Sequence, residues 1–196
     1  MSFGQNLIVN GGFEDGDLTN GWSTLSYASG VVQSGETLGS YTFATARTGI
    51  YSGFKQTWSS ALMQAVDVTP GETYIVNFWF YNSWNSPATM AKVREFNGDA
   101  NGAFINLTPI VADSGANGTN ATNYGCVAPS LDWTEAKFSF VVPAGITRVK
   151  FQYWSDNTAY NFVDDVSLVI DDTMSITDLQ KFDFNASPNP AKDVLK

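Results

Sequence analysis

Histidine is absent from this chain of 196 residues, and cysteine occurs only once, at Cys126. Without histidine the chain has no Ser-His-Asp triad, no histidine base and no imidazole ligand for a metal. A single cysteine forms no internal disulfide and no thiolate metal cluster. Because no histidine is present to activate Cys126, we expect its thiol to be a half-buried structural group.

Long apolar runs and positive charge are also scarce. Residues 75–81 form one of the longest apolar runs and are still interrupted by Asn77, whereas a membrane helix needs about 20 apolar residues. Ten Lys and Arg residues stand against 19 Asp and Glu residues, which gives a formal net charge of −9. We therefore expect no membrane insertion and no nucleic-acid partner.

Short alternating runs rich in Val, Ile, Phe, Tyr and Thr replace helical periodicity along the chain. Turn sequences that contain Pro and Gly, at residues 69–72 and 142–145, separate neighbouring runs. We predict strands near residues 6–9, 22–28, 41–47, 62–68, 73–82, 90–96, 104–111, 134–142, 147–154 and 162–170. With 43% apolar residues, this pattern predicts one all-β domain, a two-sheet antiparallel β-sandwich or jelly roll, which we expect to be a monomer.

The domain boundaries follow changes in composition. A polar stretch begins after Ile170, so we place the folded domain at residues 5–170, a linker at 171–185 and a separate segment at 186–196. Residues 1–4 look like an artificial start without a signal peptide, and we expect that a native leader was removed. A long polar loop within residues 113–132 stands out inside the domain, and its role stays open.

Four segments carry a family resemblance. They are residues 6–16 followed by Gly21-Trp22, residues 48–53, residues 64–79 and residues 162–168. In this order they resemble the signatures of carbohydrate-binding modules of the family 4/9 and 22 type. The resemblance covers about residues 6–170 and implies a galactose-binding-like sandwich that binds a polysaccharide without catalysis. Residues 85–130 depart from the family average and are longer.

The tail carries a second resemblance. Residues 187–195, Ser-Pro-Asn-Pro-Ala-Lys-Asp-Val-Leu, resemble the start of a type IX secretion C-terminal sorting domain. The segment 186–196 would then be the truncated start of that domain. This resemblance implies export across a bacterial outer membrane, with a secreted or cell-surface location. The alternative is a flexible tail rich in proline.

A structural calcium between the first and last strands is implied by the first resemblance. Calcium prefers hard oxygen ligands, and a Gly-Gly turn exposes backbone carbonyls beside a carboxylate. The inward-facing Asp164 needs a partner charge, whereas we expect Asp165 to point outward. The predicted metal residues are Gly12, Glu14, Thr48, Ser52 and Asp164. Alternatively, Glu14 and Asp164 accept hydrogen bonds from backbone N–H groups at strand ends.

Aromatic residues on two strands suggest a sugar-binding face, since aromatic rings bind the C–H faces of sugars and flanking polar groups bind the hydroxyls. The residues at 74, 76, 78 and 80, and those at 149, 151 and 153, are predicted to point inward. If the two strands share a sheet, their outward residues form one patch, rimmed by Arg94. The predicted ligand residues are Asn77, Trp79, Tyr81, Arg94, Gln152 and Trp154. Alternatively, a loop covers these rings and makes them a second small core.

Two other classes of function remain open. A glycoside hydrolase needs two paired carboxylates, and no spacing in the sequence singles out such a pair. A jelly-roll polysaccharide lyase is weakened by the absence of histidine but stays possible, because Tyr81, Arg94 and Asn77 could lie together. A cell-surface adhesin would use the aromatic face on a protein partner.

We predict a non-catalytic module, an appendage of or partner to a carbohydrate-active enzyme. Its ligand would be a β-glucan or a related β-linked glycan such as xylan, as the first resemblance implies. The acidic net charge disfavours anionic glycans, although Lys92, Arg94 and Lys150 act locally in the opposite direction.

Overall fold

The computed structural model describes residues 4–26, 28–57, 59–83, 89–111, 125–127, 130–155 and 159–172. Strands dominate these residues, and a single 3-10 turn is formed at Asn97–Asp99 within them. The strands are β1 (Ser23–Thr24), β2 (Ser29–Gln33), β3 (Thr37–Leu38), β4 (Tyr41–Thr42), β5 (Tyr51–Lys55), β6 (Ala61–Asp67), β7 (Thr73–Asn82), β8 (Thr89–Glu95), β9 (Phe104–Ile105), β10 (Thr108–Val111), β11 (Gly125–Val127), β12 (Thr134–Val141), β13 (Arg148–Ser155) and β14 (Asn161–Ile170).

Two antiparallel sheets form the sandwich, and this confirms the predicted fold class. The front sheet has the order β1-β6-β13-β8-β11, with β9 also paired to β8. The back sheet has the order β10-β12-β7-β14-β5-β2, and β3 and β4 form a separate hairpin. The part of the chain that the structure describes contains no helix long and apolar enough to cross a membrane.

The core lies between the sheets and follows the predicted alternation. On β7 the residues at 74, 76, 78 and 80 are at most 4% exposed, and on β13 those at 149, 151 and 153 are completely buried. The ring of Phe78 meets the rings of Phe151 and Tyr153 across the interface, with centroids 5.9 and 5.8 Å apart. Apolar burial of this kind is the main stabilising contribution to such a domain.

Six of the predicted strands match β6, β7, β8, β12, β13 and β14 within one or two residues. Strands β2 and β5 were not predicted, because Gly30 and Gly53 interrupt the alternating pattern there. Gly53 is required by packing, because a Cβ atom there would lie 2.6 Å from the ring of Phe13. The predictions for 22–28, 41–47 and 104–111 were too long, since these segments form only the short strands β1, β4, β9 and β10.

Residues 6–9 are not a strand, although they run alongside β14. The N–H of Leu7 donates to the carbonyl of Leu168 (2.8 Å), but the side chain of Asn6 accepts the N–H of Leu168 (2.9 Å). This side-chain bond replaces the next backbone bond of a ladder. A Cβ atom on Gly4 would lie 2.9 Å from the side chain of Ile170, so the two ends of the domain lie against each other.

Several predictions concern residues outside the described ranges. These are the start of the chain before residue 4, most of the polar loop 113–132, and the linker and tail beyond residue 172. Cys126 lies in β11, but its side chain is outside what the structure describes.

Candidate functional site

The predicted single patch of ligand residues is divided between the two sides of the sandwich. β7 pairs with β12 and β14 in the back sheet, whereas β13 pairs with β6 and β8 in the front sheet. The predicted residues on β7, namely Asn77, Trp79 and Tyr81, therefore lie on the outer face of the back sheet. Gln152 and Trp154 lie on the outer face of the front sheet. Alternation along a strand fixes which residues share a face, but it does not specify which strands share a sheet. The prediction of one shared face was wrong for this reason.

A second small core covers the Tyr81 end of the back sheet. The Tyr81 hydroxyl lies 2.6 Å from that of Tyr41, and its ring lies 5.5 Å from Phe162 and 5.9 Å from Trp133. Burial, followed by the hydrogen bond to Tyr81, raises the pKa of the Tyr41 hydroxyl above its usual value. The cluster is centred on Val32, Phe43, Ala46 and Phe162. The alternative of a second core, supplied by the segment around β3 and β4, therefore holds for Tyr81.

The remaining predicted residues of the back sheet are also engaged by neighbouring side chains. The guanidinium carbon of Arg47 lies 4.1 Å from the centre of the Trp79 ring, and Arg47 in turn bonds Asp165 at 2.9 Å. The side-chain amide of Asn77 donates to Glu135 at 3.0 Å. This side of the molecule presents rings that are already in contact with protein groups.

The outer face of the front sheet, called the front face here, is built by β8, β9 and β13. Its side chains are partly exposed, except that of Phe96, which is only 9% exposed, because their neighbours along each strand point into the core. The front face comprises Lys92, Arg94, Phe96, Phe104, Lys150, Gln152 and Trp154. Trp154 and Gln152 lie two residues apart on β13, so an indole ring and an amide are presented side by side.

Cations lie over the rings of the front face. The ammonium of Lys92 is 3.6 Å from the centre of the Trp154 ring, and that of Lys150 is 3.4 Å from the centre of the Phe96 ring. The guanidinium carbon of Arg94 lies 4.5 Å from the centre of the Phe104 ring. These are cation–π distances. The cations are visible in the sequence, but their positions over the rings depend on how the strands pair.

The arrangement also separates three residues that a polysaccharide lyase could have used together, namely Tyr81, Arg94 and Asn77. Arg94 belongs to β8 of the front sheet, whereas the other two belong to β7 of the back sheet. The core of the sandwich therefore separates Arg94 from them.

The predicted metal residues converge at the bulge of β14. The carboxylate of Asp164 is completely buried, and one of its oxygens accepts from the backbone N–H of Arg47 (2.9 Å) and Thr48 (3.3 Å) and from the hydroxyl of Ser52 (3.1 Å). Burial raises the pKa of Asp164 to about 7, and the nearby charge of Asp165 adds to this effect.

Glu14 and Gly12 complete this group of residues. Glu14 accepts from the backbone N–H groups of Ile50 (3.1 Å) and Tyr51 (3.0 Å). A Cβ atom on Gly12 would lie 3.8 Å from an oxygen of Asp164, so the Gly-Gly turn closes over that carboxylate. Both carboxylates thus accept backbone N–H groups, as the alternative to a metal requires. Within the described ranges no three acidic, histidine or cysteine side chains are grouped closely enough to hold a metal by themselves.

Asp165 does not simply point outward as predicted. Its φ angle is +48°, and the pairing of β14 with β7 is irregular between Asp164 and Ser167. This bulge turns the Asp165 carboxylate towards the hydroxyl of Thr48, at 2.6 Å, and the guanidinium of Arg47. No sequence signal marked the bulge, because Asp165 is not a glycine.

Comparison with known proteins agrees with this fold. The model of a family described as a carbohydrate binding domain, of the 4/9 type, matches residues 5–159. The chain therefore belongs to the family 4/9 carbohydrate-binding domains. Comparison with curated proteins gives no match.

Solved structures of carbohydrate-binding modules share the fold at low sequence identity. One is a family 61 module in complex with β-1,4-galactotriose, 18% identical, with 85% of this chain and 99% of that chain covered at a TM-score of 0.54. Another is a family 16 module, 20% identical, with 84% and 99% covered and a TM-score of 0.56. A third is the family 22 xylan-binding domain from Paenibacillus barcinonensis Xyn10C, 14% identical, with 87% and 97% covered and a TM-score of 0.56. These matches are to binding modules.

Proposed function

We propose that this domain binds a polysaccharide through the front face, without cleaving it. The observation that carries the proposal is the position of Trp154, partly exposed on β13 next to Gln152. An indole ring binds the C–H face of a pyranose, and the neighbouring amide orients the hydroxyls. Membership of the carbohydrate-binding domains supports a glycan as the ligand. The Tyr81 end of the back sheet is the weaker candidate because it is covered.

The ligand class within this proposal is a β-linked glycan. Two of the structures that share the fold are described with β-1,4-galactotriose and as xylan-binding, and this supports a β-linked chain as the starting point for a screen. As an appendage, such a module would hold an enzyme close to its polysaccharide. The gain is then a higher local concentration and does not require tight binding by the single module.

Replacing Trp154 by alanine tests the front face. We expect the dissociation constant for the best glycan of a neutral and acidic panel to rise about tenfold or more, because a loss of ~1.4 kcal/mol of stacking is a factor of ten. Trp79→Ala, the same substitution on the back sheet, is the matched control and should leave binding within about twofold. Affinity electrophoresis gives both constants, and a melting curve of each variant verifies folding. Unchanged binding by Trp154→Ala, or an equal loss in both variants, would contradict the assignment.

We also propose a structural calcium at Glu14 and Asp164, near the β14 bulge. Its ligands would be the carboxylates of Glu14 and Asp164 and oxygens of Gly12, Thr48 and Ser52. The donors are hard oxygens, as calcium prefers, and the buried Asp164 carboxylate beside Asp165 would be stabilised by a positive charge. When bound, the ion would hold the N-terminal turn against β14. It would have no role in contact with the glycan.

Removal of calcium is therefore expected to lower the melting temperature. At a free concentration 100 times the dissociation constant, a ligand bound only by the folded state contributes about 2.7 kcal/mol. For a chain of this size this corresponds to a shift of roughly 5–10 °C. Melting curves in excess calcium and in excess chelator measure the shift. Asp164→Asn, which keeps the shape of the side chain and removes its charge, should abolish the calcium dependence of the melting temperature. Equal melting temperatures of the original chain in calcium and in chelator would contradict the proposal.

A further inference from the structure

Positive charge is concentrated on the front sheet of a chain that is acidic overall. β8 and β13 carry four of the ten Lys and Arg residues, namely Lys92, Arg94, Arg148 and Lys150. The residues that alternate with them, such as Val93 and Val149, are completely buried, so the four cations point to the outer side. Arg148 lies at the end of β13 far from Trp154 and contacts Asp67 at 3.6 Å. Lys92, Arg94 and Lys150 lie closer to Trp154 and form a cationic cluster within the front face, in which the ammonium of Lys150 also donates to the side chain of Asn101 at 3.2 Å.

The cationic cluster lies on the rings that a sugar would use. Lys92 is over Trp154 and Arg94 is over Phe104, at the distances given above. A neutral sugar that stacks on the same side of the indole must displace the ammonium of Lys92 and gains nothing from it in return. A sugar with a carboxylate binds the ammonium and contacts the ring at the same time. The arrangement thus favours an anionic sugar over a neutral one.

Arg94 is held in one orientation by the turn that follows β8. Its Nε and Nη2 atoms donate to the carbonyl of Gly102 at 3.2 and 2.7 Å. These two bonds use one edge of the planar guanidinium and leave the edge formed by Nη1 and Nη2. Two parallel N–H groups on such an edge match the two oxygens of a carboxylate. Because the side chain is already fixed, little conformational freedom is lost when a carboxylate binds.

The negative net charge of the chain limits how a polyanion could bind to it. A protein with a charge of −9 repels a polyanion at long range. Attraction must therefore arise from short-range contacts with the cationic cluster, since salt screens exposed charges beyond about 10 Å at 0.1 M ionic strength. Because the net charge is negative, non-specific binding of polyanions is disfavoured.

We propose that the front face recognises polysaccharides that carry uronic acid carboxylates. This inference rests on the proposed function and names the substrate class of the same face. A polyuronate carries one carboxylate on each sugar ring. The cations of the front face stand singly on alternate residues of β8 and β13, two neighbouring strands that lie about 5 Å apart, and so can each meet one carboxylate. The planar edge of Arg94 suits the planar carboxylate.

The test compares two polymers that differ only in charge. Polymannuronate, a β-1,4-linked uronate, carries a carboxylate on each sugar, and its methyl ester keeps the same backbone without the charge. For the full chain we expect about tenfold or tighter binding to polymannuronate, and this preference should disappear between about 0.05 and 0.5 M salt. Affinity electrophoresis and calorimetry give the constants. Calcium is held at one low concentration throughout, because polyuronates bind calcium themselves.

Charge variants locate the effect on the front face. Arg94→Gln and Lys92→Gln are each expected to weaken binding of polymannuronate about three- to tenfold, with binding of the methyl ester nearly unchanged. Lys137→Gln changes the net charge equally, but it lies on β12 of the back sheet and should have no effect. Equal losses in all three variants would show a general charge effect and overturn the inference.

The outcomes separate this inference from the function on which it rests. Equal affinity for the two polymers, or binding of neutral β-glucan or xylan alone, overturns the uronate inference and leaves glycan binding intact. Tighter binding of a sulfated galactan than of polymannuronate overturns the assignment to carboxylates. Failure to bind any of these polymers overturns the proposed function itself.

Discussion

Phe162→Ala is expected to lower the free energy of unfolding by about 3–5 kcal/mol, as for other fully buried phenylalanines. Phe162 is completely buried on the back sheet. Its ring lies 4.5 Å from that of Phe43, 5.6 Å from Tyr41 and 5.5 Å from Tyr81. Alanine would leave a cavity among rings supplied by both the sheet and the segment that covers it. The loss therefore includes transfer of the ring to water and an unfilled volume.

Urea unfolding followed by tryptophan fluorescence measures this change. Phe54→Ala is the matched control, because Phe54 packs against the same cluster but is only partly buried, and we expect a loss of about half as much or less. Glycan binding by the folded fraction should be unaffected in both variants, since Phe162 belongs to the back sheet. A loss below about 1 kcal/mol in Phe162→Ala would mean that the covering segment does not pack as described.

The second large effect is expected for Gly11→Ala. A Cβ atom at this position would lie 2.0 Å from the carbonyl oxygen of Val166, which belongs to the backbone and has no side-chain freedom to move away. The same two residues are joined by a hydrogen bond from the N–H of Val166 to the carbonyl of Gly11, at 2.9 Å. The chain must shift and weaken this bond. We expect a loss of about 3 kcal/mol, at the upper end of the range for overpacked sites.

Gly12→Ala is the control for Gly11→Ala. It adds the same methyl group to the next residue, where the nearest atom would be 3.7 Å away, an ordinary van der Waals distance. Chemical unfolding of the two variants in calcium and in chelator gives the comparison. We expect Gly12→Ala to remain within about 1 kcal/mol of the original chain. Similar losses in both variants would refute the steric explanation.

The sequence predicted the inner face of the sandwich well, for a physical reason that applies to each strand by itself. The pattern on β7 and β13 has a period of two, and the pleat requires that alternate residues point to the same side. Buried positions such as Phe78 and Phe151 follow directly from this rule. Strands without the pattern, such as β5 with Gly53, were missed because packing against Phe13 takes the place of alternation there.

The ligand face was predicted only in part, because its assembly depends on pairing between distant strands. Trp79 and Trp154 have equivalent patterns around them, and no local property distinguishes the sheet of one from the sheet of the other. The acidic residues Glu14 and Asp164 were found through family signatures, and their 150-residue separation gives no local clue to their proximity. The bulge at Asp165 has no signature in composition, because its positive φ angle is imposed by long-range contacts.

The contact between Gly4 and Ile170 has a consequence for any polypeptide attached to the module. Flanking segments on either side would leave from neighbouring points at one end of the sandwich, where β14 ends. In a longer chain, the segments before and after the module would therefore start close together, and the module would add little to the distance between them. An attached enzyme would reach its substrate over a distance that its own connecting segment determines, and the module would be suited to insertion within a loop of another domain.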